Sequence, residues 1–250
     1  MQRKATLDDS FGRQSVSNQE RRQRIQRVFQ AVAPRYDLMN DLMSFGIHRL
    51  WKRRLAARVA ASRGVAVDLA GGTGDVARLL ADGSRHVVIV DPSLAMMQAG
   101  RARDAAGERI GWIAGEAESL PLADASVDLV TISFGLRNAT SPRDALREIR
   151  RVLKPGGRFV CLEFSRPHFW LKPFYDLYSF LVIPRLGAWV ARQPAAYHYL
   201  IESIRRFPDQ REFAALMRDA GFGDVRWRNL SFGIACLHFG TRATSSEVSA

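Results

Sequence analysis

A glycine-rich turn, Asp68-Leu-Ala-Gly-Gly-Thr-Gly74, decides how the fold of this chain is predicted. It follows the short apolar run 65–69 and precedes residues 75–81, whose apolar side chains recur at helical spacing. A glycine turn between a first strand and a helix is typical of ligand-binding α/β proteins, because the missing side chains let a ligand approach the backbone. We therefore predict a ligand site at this turn.

Alternating strands and helices are predicted on both sides of the turn. Apolar runs indicate strands at residues 65–69, 86–90, 110–114, 127–133 and 158–164, with a turn at 154–157 before the last of them. Helices are expected after Ser93, which is placed to cap one, and from Pro142 to Leu153. This alternation predicts a parallel sheet with helices on both faces. Two more strands, at 225–230 and 234–239, are expected to end the sheet as an antiparallel hairpin.

The chain has the composition of one globular domain. Its 250 residues are 47% hydrophobic and 25% charged, which excludes a disordered, collagen-like or disulfide-scaffold protein. Residues 1–20 are predicted to be a flexible basic arm, 21–242 a single domain, and 243–250 a flexible tail. Within the domain, 21–63 are expected to form a helical cap, with two helices around a turn at 44–46, and 166–206 a helical lid or insertion.

Positive charge is concentrated near the start of the chain. Lys and Arg outnumber Asp and Glu by 37 to 25, and residues 1–63 alone hold 14 basic and 5 acidic side chains. Such a patch suits an anionic membrane surface or nucleic acid, or it serves only as a solubility charge. The most apolar stretch, 174–191, is interrupted by Asp176, Pro184 and Arg185, so no transmembrane helix is expected there.

Cellular location and metal binding are predicted from the remaining composition. No leader-like apolar segment occurs in the first 27 residues, so the protein is expected to be cytoplasmic and at most peripheral to the inner membrane. The two cysteines, Cys161 and Cys236, lie in apolar runs and are expected to be reduced core residues. Two cysteines without a matching histidine cluster do not make a zinc site, and no metal is expected.

Acidic rather than basic residues lie in the turn and follow the predicted strands: Asp68, Asp75, Asp91 and Glu116. A pyrophosphate would need positive charge or many donors there, so a cationic nucleoside without phosphate fits better. S-adenosylmethionine, with its sulfonium and ammonium groups, is such a ligand. Asp91 is expected to accept hydrogen bonds from both ribose hydroxyls, and Glu116 and Ala117 to meet the adenine edge.

Several long stretches then resemble one known family. They are YDLMNDLMSFGIHRLWK at 36–52, DLAGGTGD at 68–75, TISFGLRN at 131–138 and RVLKPGGRFVCLEFS at 151–165, with further matches at 175–185 and 202–206. Over about residues 24–241 the chain resembles the UbiE family of quinone-biosynthesis C-methyltransferases. The resemblance covers nearly the whole predicted domain and its motifs are highly specific.

This resemblance implies a fold, a donor and an acceptor. The fold is the class I methyltransferase (Rossmann-like) α/β fold, with a seven-stranded, mostly parallel sheet that has a C-terminal antiparallel hairpin. S-adenosylmethionine is the implied methyl donor, and a prenylated benzoquinol or demethylmenaquinol is the implied acceptor. The expected donor-binding residues, from the resemblance and the glycine turn together, are Asp68, Gly72, Thr73, Gly74, Asp91, Glu116, Ala117 and Ser133. Relatives often have Asn or Asp where this chain has Glu116.

Methylation of a ring carbon requires a hydroquinol whose hydroxyl is deprotonated or strongly hydrogen-bonded. The best-placed polar groups are those of Arg137 and Asn138, just after the fourth strand, and those of Tyr36, Asp37, Asn40 and His48 in the cap; Arg137, Asn138, Tyr36 and His48 are the catalytic candidates. Arg137 is expected to stabilise a phenolate, and His48 or Tyr36 to relay its proton. Structural roles stay open, since His48 could order the cap and Arg137 could pair with a carboxylate such as Asp37.

The prenyl tail needs apolar surface, which the predicted insertion offers as a lid or channel unless its aromatic residues only pack on the sheet. These residues are Phe169, Trp170, Phe174, Tyr175, Tyr178, Phe180, Leu181, Ile183 and Trp189. Arg185 and Arg192 flank the stretch and suit anionic head groups. A homo-oligomer or a biosynthetic complex is left open.

Three other classes of protein are considered. The sequence Gly72-Thr-Gly74-Asp-Val-Ala77 also fits an NAD fingerprint, but an oxidoreductase would need a second substrate domain. A nucleic-acid methyltransferase is disfavoured, because residues 133–138 lack an Asn-Pro-Pro-aromatic element, and no nucleic-acid partner is expected. A non-enzymatic membrane module would not need the acidic pocket. The ring type, the tail length and the general base stay open.

Overall fold

The computed structural model describes residues 10–11, 14–15, 17–32, 36–61, 63–81, 85–103, 110–181 and 194–244. The helices are α1 Asn18–Val32, α2 Tyr36–Ser44, α3 Ile47–Arg58, α4 Asp75–Leu80, α5 Leu94–Arg101, α6 Pro142–Val152, α7 Lys172–Leu181, α8 Pro194–Arg206 and α9 Gln210–Asp219. The strands are β1 Ser10–Phe11, β2 Gln14–Ser15, β3 Gly64–Leu69, β4 Arg85–Asp91, β5 Ile110–Ala114, β6 Val127–Ser133, β7 Leu153–Phe164, β8 Phe222–Leu230 and β9 Ala235–Arg242.

The main sheet has seven strands in the order β5-β4-β3-β6-β7-β9-β8. Strands β3 to β7 pair in parallel, and β9 inserts antiparallel between β7 and β8. The predicted mostly parallel α/β sheet with a final antiparallel hairpin is therefore confirmed. The strand order reverses at β3 and β6, which is where open α/β sheets bind ligands.

Helices cover both faces of this sheet because each presents one apolar stripe. On one face, Leu146 and Ile149 of α6 and Phe213 of α9 are buried against the strands. On the other face, Trp51 and Leu55 of α3 pack with the residues of α4. The two apolar layers hold the carboxyl ends of the central strands in place, and these ends carry most of the predicted donor residues.

The cap and one predicted turn differ from expectation. In the described part of the chain three helices, not two, precede β3, and α1 begins at Asn18, within the segment predicted to be a flexible arm. Its buried Arg21 and Ile25 anchor it to the domain. The predicted turn at 154–157 lies inside β7 rather than before it: Val127 pairs with Leu153 and Leu129 with Arg158, so these four residues form a bulge opposite Asp128. Gly156 allows this bulge with a φ of 75°.

The predicted insertion contains α7 and α8, and residues 182–193 between them lie outside the described part. Across the described residues, every helix is too short or too polar to cross a lipid bilayer. Cys161 and Cys236 are buried free thiols, as expected, and burial raises the pKa of Cys236 to about 12.

Candidate active site

A cavity lies at the carboxyl ends of β3, β4 and β6, and we call it the donor cavity. Its volume is about 110 Å³. Six of the predicted site residues line it: Gly72, Asp91, Glu116, Ala117, Ser133 and Asn138. The structure therefore brings together residues from four separate connections of the sheet, at the reversal of strand order where a ligand is expected.

Asp91 ends β4 and is almost fully buried at the wall of the donor cavity. Its Oδ2 accepts from the backbone N–H of Gly72 at 2.8 Å, and its Oδ1 from that of Ser93 at 2.7 Å. Burial raises the pKa of Asp91 to about 6, and these two hydrogen bonds oppose the rise. Each carboxylate oxygen retains acceptor capacity, so Asp91 can still accept hydrogen bonds from a ligand diol.

Asp68 lies beneath the glycine turn rather than in the donor cavity. Its Oδ1 accepts from the Thr131 hydroxyl and its Oδ2 from the Ala77 N–H, both at 3.0 Å. Burial raises the pKa of Asp68 to about 7. A Cβ on Gly71 would come within 2.9 Å of Asp68 Oδ2, so the turn and the carboxylate fit only with glycine there. Asp68 thus shapes the turn from below.

Thr73 and Gly74, two other residues of the turn, do not line the donor cavity either. The Thr73 hydroxyl donates to Asp37 at 3.3 Å, which links the turn to α2. Gly74 precedes α4 with a left-handed φ of 83°. Asp75, one of the four acidic residues, pairs with Lys52 at 3.0 Å. These residues hold the turn against the cap helices.

Helix α1 closes one side of the donor cavity. The buried Arg21 donates to the carbonyl oxygens of Ala139 at 2.7 Å and Arg137 at 3.3 Å. Arg22 forms an ion pair with Glu116 at 3.2 Å, and Ile25 lines the cavity. Part of the basic charge of the N-terminal quarter therefore serves internal contacts at the site.

A second and larger cavity adjoins the first, and we call it the acceptor cavity. Its volume is about 320 Å³, and Ser133 and Phe134 line both cavities. The Ser133 hydroxyl is buried and has no hydrogen-bond partner among the described residues. Most of the lining is apolar and aromatic, including Phe45, Trp51, Phe164, Phe174, Tyr178 and Leu200. A hydroxyl between an acidic pocket and an apolar one is free to bond a bound ligand.

Arg137 faces the acceptor cavity from the short 3₁₀ turn Leu136–Asn138. Its Nη1 donates to Glu163 Oε1 at 2.8 Å, and both side chains are buried. Burial raises the pKa of Glu163, although the guanidinium acts in the opposite direction. The alternative that Arg137 pairs with a carboxylate therefore holds, but the partner is Glu163 and not Asp37, the example considered, which pairs with Arg103. Arg137 Nε is buried without a partner among the described residues.

His48 is buried at the acceptor cavity and is held by the cap itself. The Ser44 hydroxyl donates to the carbonyl of Asn40 at 2.7 Å and lies 2.8 Å from His48 Nδ1. In the tautomer that donates from Nδ1 to Ser44, Nε2 keeps a lone pair and lies 3.8 Å from Asp41 Oδ1. Nε2 has no hydrogen-bond partner among the described residues, and burial lowers the pKa of His48 to about 4.

The remaining candidates differ in what can be said of them. Asn138 Oδ1 accepts from the Tyr199 hydroxyl at 3.0 Å, which leaves its amide N–H groups to donate toward the donor cavity. Tyr36 begins α2, but its side chain lies outside the described residues. The same holds for the side chain of Phe180 and for Ile183, Arg185, Trp189 and Arg192.

Sequence reasoning did not select Glu163, Arg21 or Lys52 as site residues. Glu163 stands within a quoted motif on an otherwise apolar strand, and a charge there signals a buried partner. Arg21 belongs to a run of basic residues and had no local signal. Its partners lie more than 110 residues away in the chain.

The residues of the donor cavity fit S-adenosylmethionine. Asp91 offers acceptors for a ribose, Glu116 offers one for an adenine amino group, and the unpartnered Ser133 hydroxyl lies where the two cavities meet. A Cβ on Gly135 would come within 2.6 Å of Ala70 Cβ, so the floor between the strands admits no larger residue. The lining holds the carboxylates of Asp91, Glu116 and Glu118 against one arginine, Arg22, and this excess of negative charge suits a cationic nucleoside.

Solved structures share this fold at low sequence identity. A chain of the complex between the Haloferax volcanii Trm112 methyltransferase activator and a putative methyltransferase superposes with a TM-score of 0.64 at 22% identity, covering 86% of this chain and 97% of that one. A S-adenosylmethionine-dependent methyltransferase from Thermotoga maritima gives 0.62 at 22% identity, covering 86% and 98%. The fold is that of the class I S-adenosylmethionine-dependent methyltransferases.

Relatives of higher sequence identity then define the family within this class of methyltransferases. The profile of the ubiE/COQ5 methyltransferase family matches residues 16–242. A Rubrivivax gelatinosus protein named ubiquinone/menaquinone biosynthesis C-methyltransferase UbiE is 66% identical over 241 residues, covering 96% of this chain and 95% of that protein. The protein of that name from Paracoccus denitrificans is 51% identical over 238 residues, covering 92% and 95%. This chain belongs to the ubiE/COQ5 methyltransferase family and is a methyltransferase.

Proposed function

We propose that this enzyme methylates a ring carbon of a prenylated quinol in ubiquinone or menaquinone biosynthesis, with S-adenosylmethionine as methyl donor. The acceptors are demethylmenaquinol and 2-methoxy-6-polyprenyl-benzoquinol. The observation that carries the proposal is the pair of adjoining cavities, one with acidic groups and one mainly apolar, which share Ser133 and Phe134. The names of the close relatives support the quinone substrates.

The donor cavity holds S-adenosylmethionine through acceptors. Asp91 accepts from the ribose hydroxyls, while Gly72 and Ser93 keep its carboxylate oriented. Glu116 accepts from the adenine amino group, and Arg22 keeps that carboxylate at the cavity. When bound, S-adenosylmethionine supplies an electrophilic methyl group on its sulfonium.

Arg137 activates the acceptor ring from the other cavity. A hydroquinol carbon becomes nucleophilic when the adjacent hydroxyl loses its proton, and a positive charge beside that oxygen stabilises the phenolate. Arg137 supplies the charge, and Glu163 fixes its orientation through Nη1. Arg137 lines the acceptor cavity, and the N–H groups that do not bond Phe134 or Glu163 are the donors left for the substrate oxygen.

His48 accepts the hydroxyl proton of the hydroquinol in this proposal. Its neutral imidazole has the lone pair on Nε2 in the tautomer that donates from Nδ1 to Ser44, whose hydroxyl donates to Asn40. A buried imidazole with a pKa of about 4 is neutral at pH 7 but is a weaker base than a free histidine, so the proton transfer depends on Arg137 to stabilise the phenolate that forms. Tyr36 stays the alternative relay.

An anionic membrane surface is the expected partner, since a prenylated quinol resides in a bilayer. The excess of basic residues at 1–63 supports attraction to anionic lipid, and the protein is expected at the cytoplasmic face of the inner membrane. Binding to anionic vesicles should then weaken as salt rises, because salt screens such attraction. Equal sedimentation with neutral and anionic vesicles would contradict the electrostatic part.

Two experiments test the reaction itself. Purified enzyme with S-adenosylmethionine and a reduced short-tailed demethylmenaquinol or benzoquinol should yield the C-methylated quinol, detected by mass spectrometry. Cells lacking the protein should accumulate the demethylated intermediate, which identifies the ring. Absence of turnover on both quinols, with intact donor binding, would contradict the proposal.

A further inference from the structure

Exposed apolar side chains lie at the acceptor cavity, each on a residue that lines it or within two positions of one that does. We call them the apolar collar, and they are Phe45, Phe169, Trp170, Phe174, Leu177 and Phe232, with exposures from 48% to 85%. Phe45 and Phe174 line the cavity, and so do Leu171 and Ser231, the chain neighbours of Trp170 and Phe232. The rings of Trp170 and Phe232 are 5.1 Å apart. The collar is thus one surface built from three separate chain segments.

Two residues of the collar have a backbone that disfavours them. Phe45 has a φ of 49° and is 76% exposed, and Phe232 has a φ of 56° and is 63% exposed. Glycine or asparagine adopts this left-handed conformation with less strain, and a polar side chain would suit water better. Neither local folding nor core packing accounts for phenylalanine at both positions. Such strain with exposure is typical of a surface that acts on something else.

Positive charge adjoins the collar on α3. Ile47, Leu50 and Arg54 are spaced by three and four residues and share one exposed face of this helix, beside Arg53. Ile47 also lines the acceptor cavity, so this face continues the collar. Among the described residues, no carboxylate forms an ion pair with Arg53 or Arg54. An apolar face flanked by free arginines is the pattern of a helix that lies at an anionic lipid surface.

We infer that the collar inserts into the interface of an anionic bilayer, so that the acceptor cavity opens toward the hydrocarbon. Arg53 and Arg54 then meet the lipid head groups. A protein partner fits less well, because specific protein interfaces carry regular hydrogen bonds and the six side chains of the collar have one polar atom, on Trp170. The inference rests on the proposed function in one respect, the lipid nature of the substrate.

The test is sedimentation with vesicles of phosphatidylcholine containing one quarter phosphatidylglycerol. The variant Phe169→Ser/Leu177→Ser/Phe232→Asn removes three collar residues that do not line either cavity. It should partition at least tenfold less than wild type. The control Leu79→Ser/Leu94→Ser removes side chains that are 41% and 62% exposed on α4 and α5, and it should stay within twofold. Part of the wild-type binding should persist at high salt, because burial of apolar surface is not screened.

Folding and activity are measured on the same preparations. Phe232→Asn alone should keep or raise the melting temperature, since asparagine tolerates its φ, while it lowers partitioning. Should the triple variant unfold, Phe169→Ser and Phe232→Asn are compared singly. Wild-type partitioning in folded collar variants, or no binding of wild type to the vesicles, overturns the inference. Turnover of a short-tailed quinol without vesicles tests the proposed function separately, so either can fail alone.

Discussion

Arg137 and Glu163 form a buried ion pair at the wall of the acceptor cavity, with 2.8 Å between Nη1 and Oε1. Removing one member of such a pair leaves an uncompensated buried charge, which costs about 3–5 kcal/mol. The group expected to stabilise the phenolate is therefore also a structural element. Stability and turnover have to be measured together at this position.

We expect Arg137→Ala to lower the methylation rate of a short-tailed quinol by about 100-fold or more, as for loss of an oxyanion donor. Donor affinity should stay near normal, since Arg137 does not line the donor cavity. The melting temperature should fall, because Glu163 loses its partner. Single-turnover rate, calorimetric donor affinity and thermal melting are the measurements.

The double variant Arg137→Gln/Glu163→Gln separates the two roles. It removes both charges, so that it should recover much of the stability that Arg137→Ala loses, without recovering turnover. A wild-type rate in this variant would show that Arg137 does not act on the substrate.

Asp91→Asn should weaken binding of S-adenosylmethionine by about tenfold or more, because hydrogen bonds to a charged acceptor contribute about 1.5–3 kcal/mol each. The pKa of Asp91, about 6, also makes donor affinity depend on pH. Binding favours the carboxylate, so affinity should fall as pH is lowered through 6 and be level above it. Calorimetric titration from pH 5 to 8 checks both. Unchanged affinity in the folded variant would exclude Asp91 as a ribose acceptor.

His48→Gln should lower turnover, while donor affinity stays within about twofold, because a general base contributes about 100-fold or more to the rate and does not touch the donor. In wild type the rate should fall as pH approaches the pKa of about 4, where the imidazole becomes protonated, rather than near 6.5. A rate profile against pH measures this. His86→Asn, at an exposed histidine of β4, is the control.

The lowered pKa of His48 also predicts how the stability of the folded protein depends on pH. A histidine with a lowered pKa in the folded state contributes stability above its unfolded pKa of about 6.5, and that contribution is lost as pH falls toward 4. Replacement of His48 by Gln should flatten the decline of melting temperature over this interval. An unchanged pH profile of melting would contradict a buried neutral His48.

Substitutions of two neighbouring arginines of α1 should differ in their effect on the rate of donor release. Arg22 and Glu116 are partly exposed, at 45% and 37%, so Arg22→Gln should change donor release by no more than about threefold. Arg21 is buried and donates to two backbone carbonyls beside the donor cavity, so Arg21→Met should speed release by about tenfold or more. Stopped-flow dissociation of the donor measures both, and equal effects would argue against α1 as a closure held by Arg21.

The strand pattern and the donor cavity were predictable because their cause is local. Alternation of apolar runs and helical stretches defines parallel strands, and parallel strands bring their carboxyl ends to one edge. Asp91 and Ser133 each end a strand, so their convergence follows from the pattern alone. Asp68 was not distinguishable in this way. Its carboxylate bonds Thr131 and Ala77 because of how deeply the turn is buried, and the sequence does not show that depth.

The sequence by itself thus determined the sheet, the family and five of the eight residues expected at the donor cavity, through local periodicity and motifs. Only the tertiary structure decided that Glu163 rather than Asp37 partners Arg137, that α1 closes the donor cavity, and that Phe45 and Phe232 are exposed at the surface. These features join segments that lie far apart in the chain. Buried charges and exposed rings are set by how such segments pack, and no short-range pattern of residues encodes that packing.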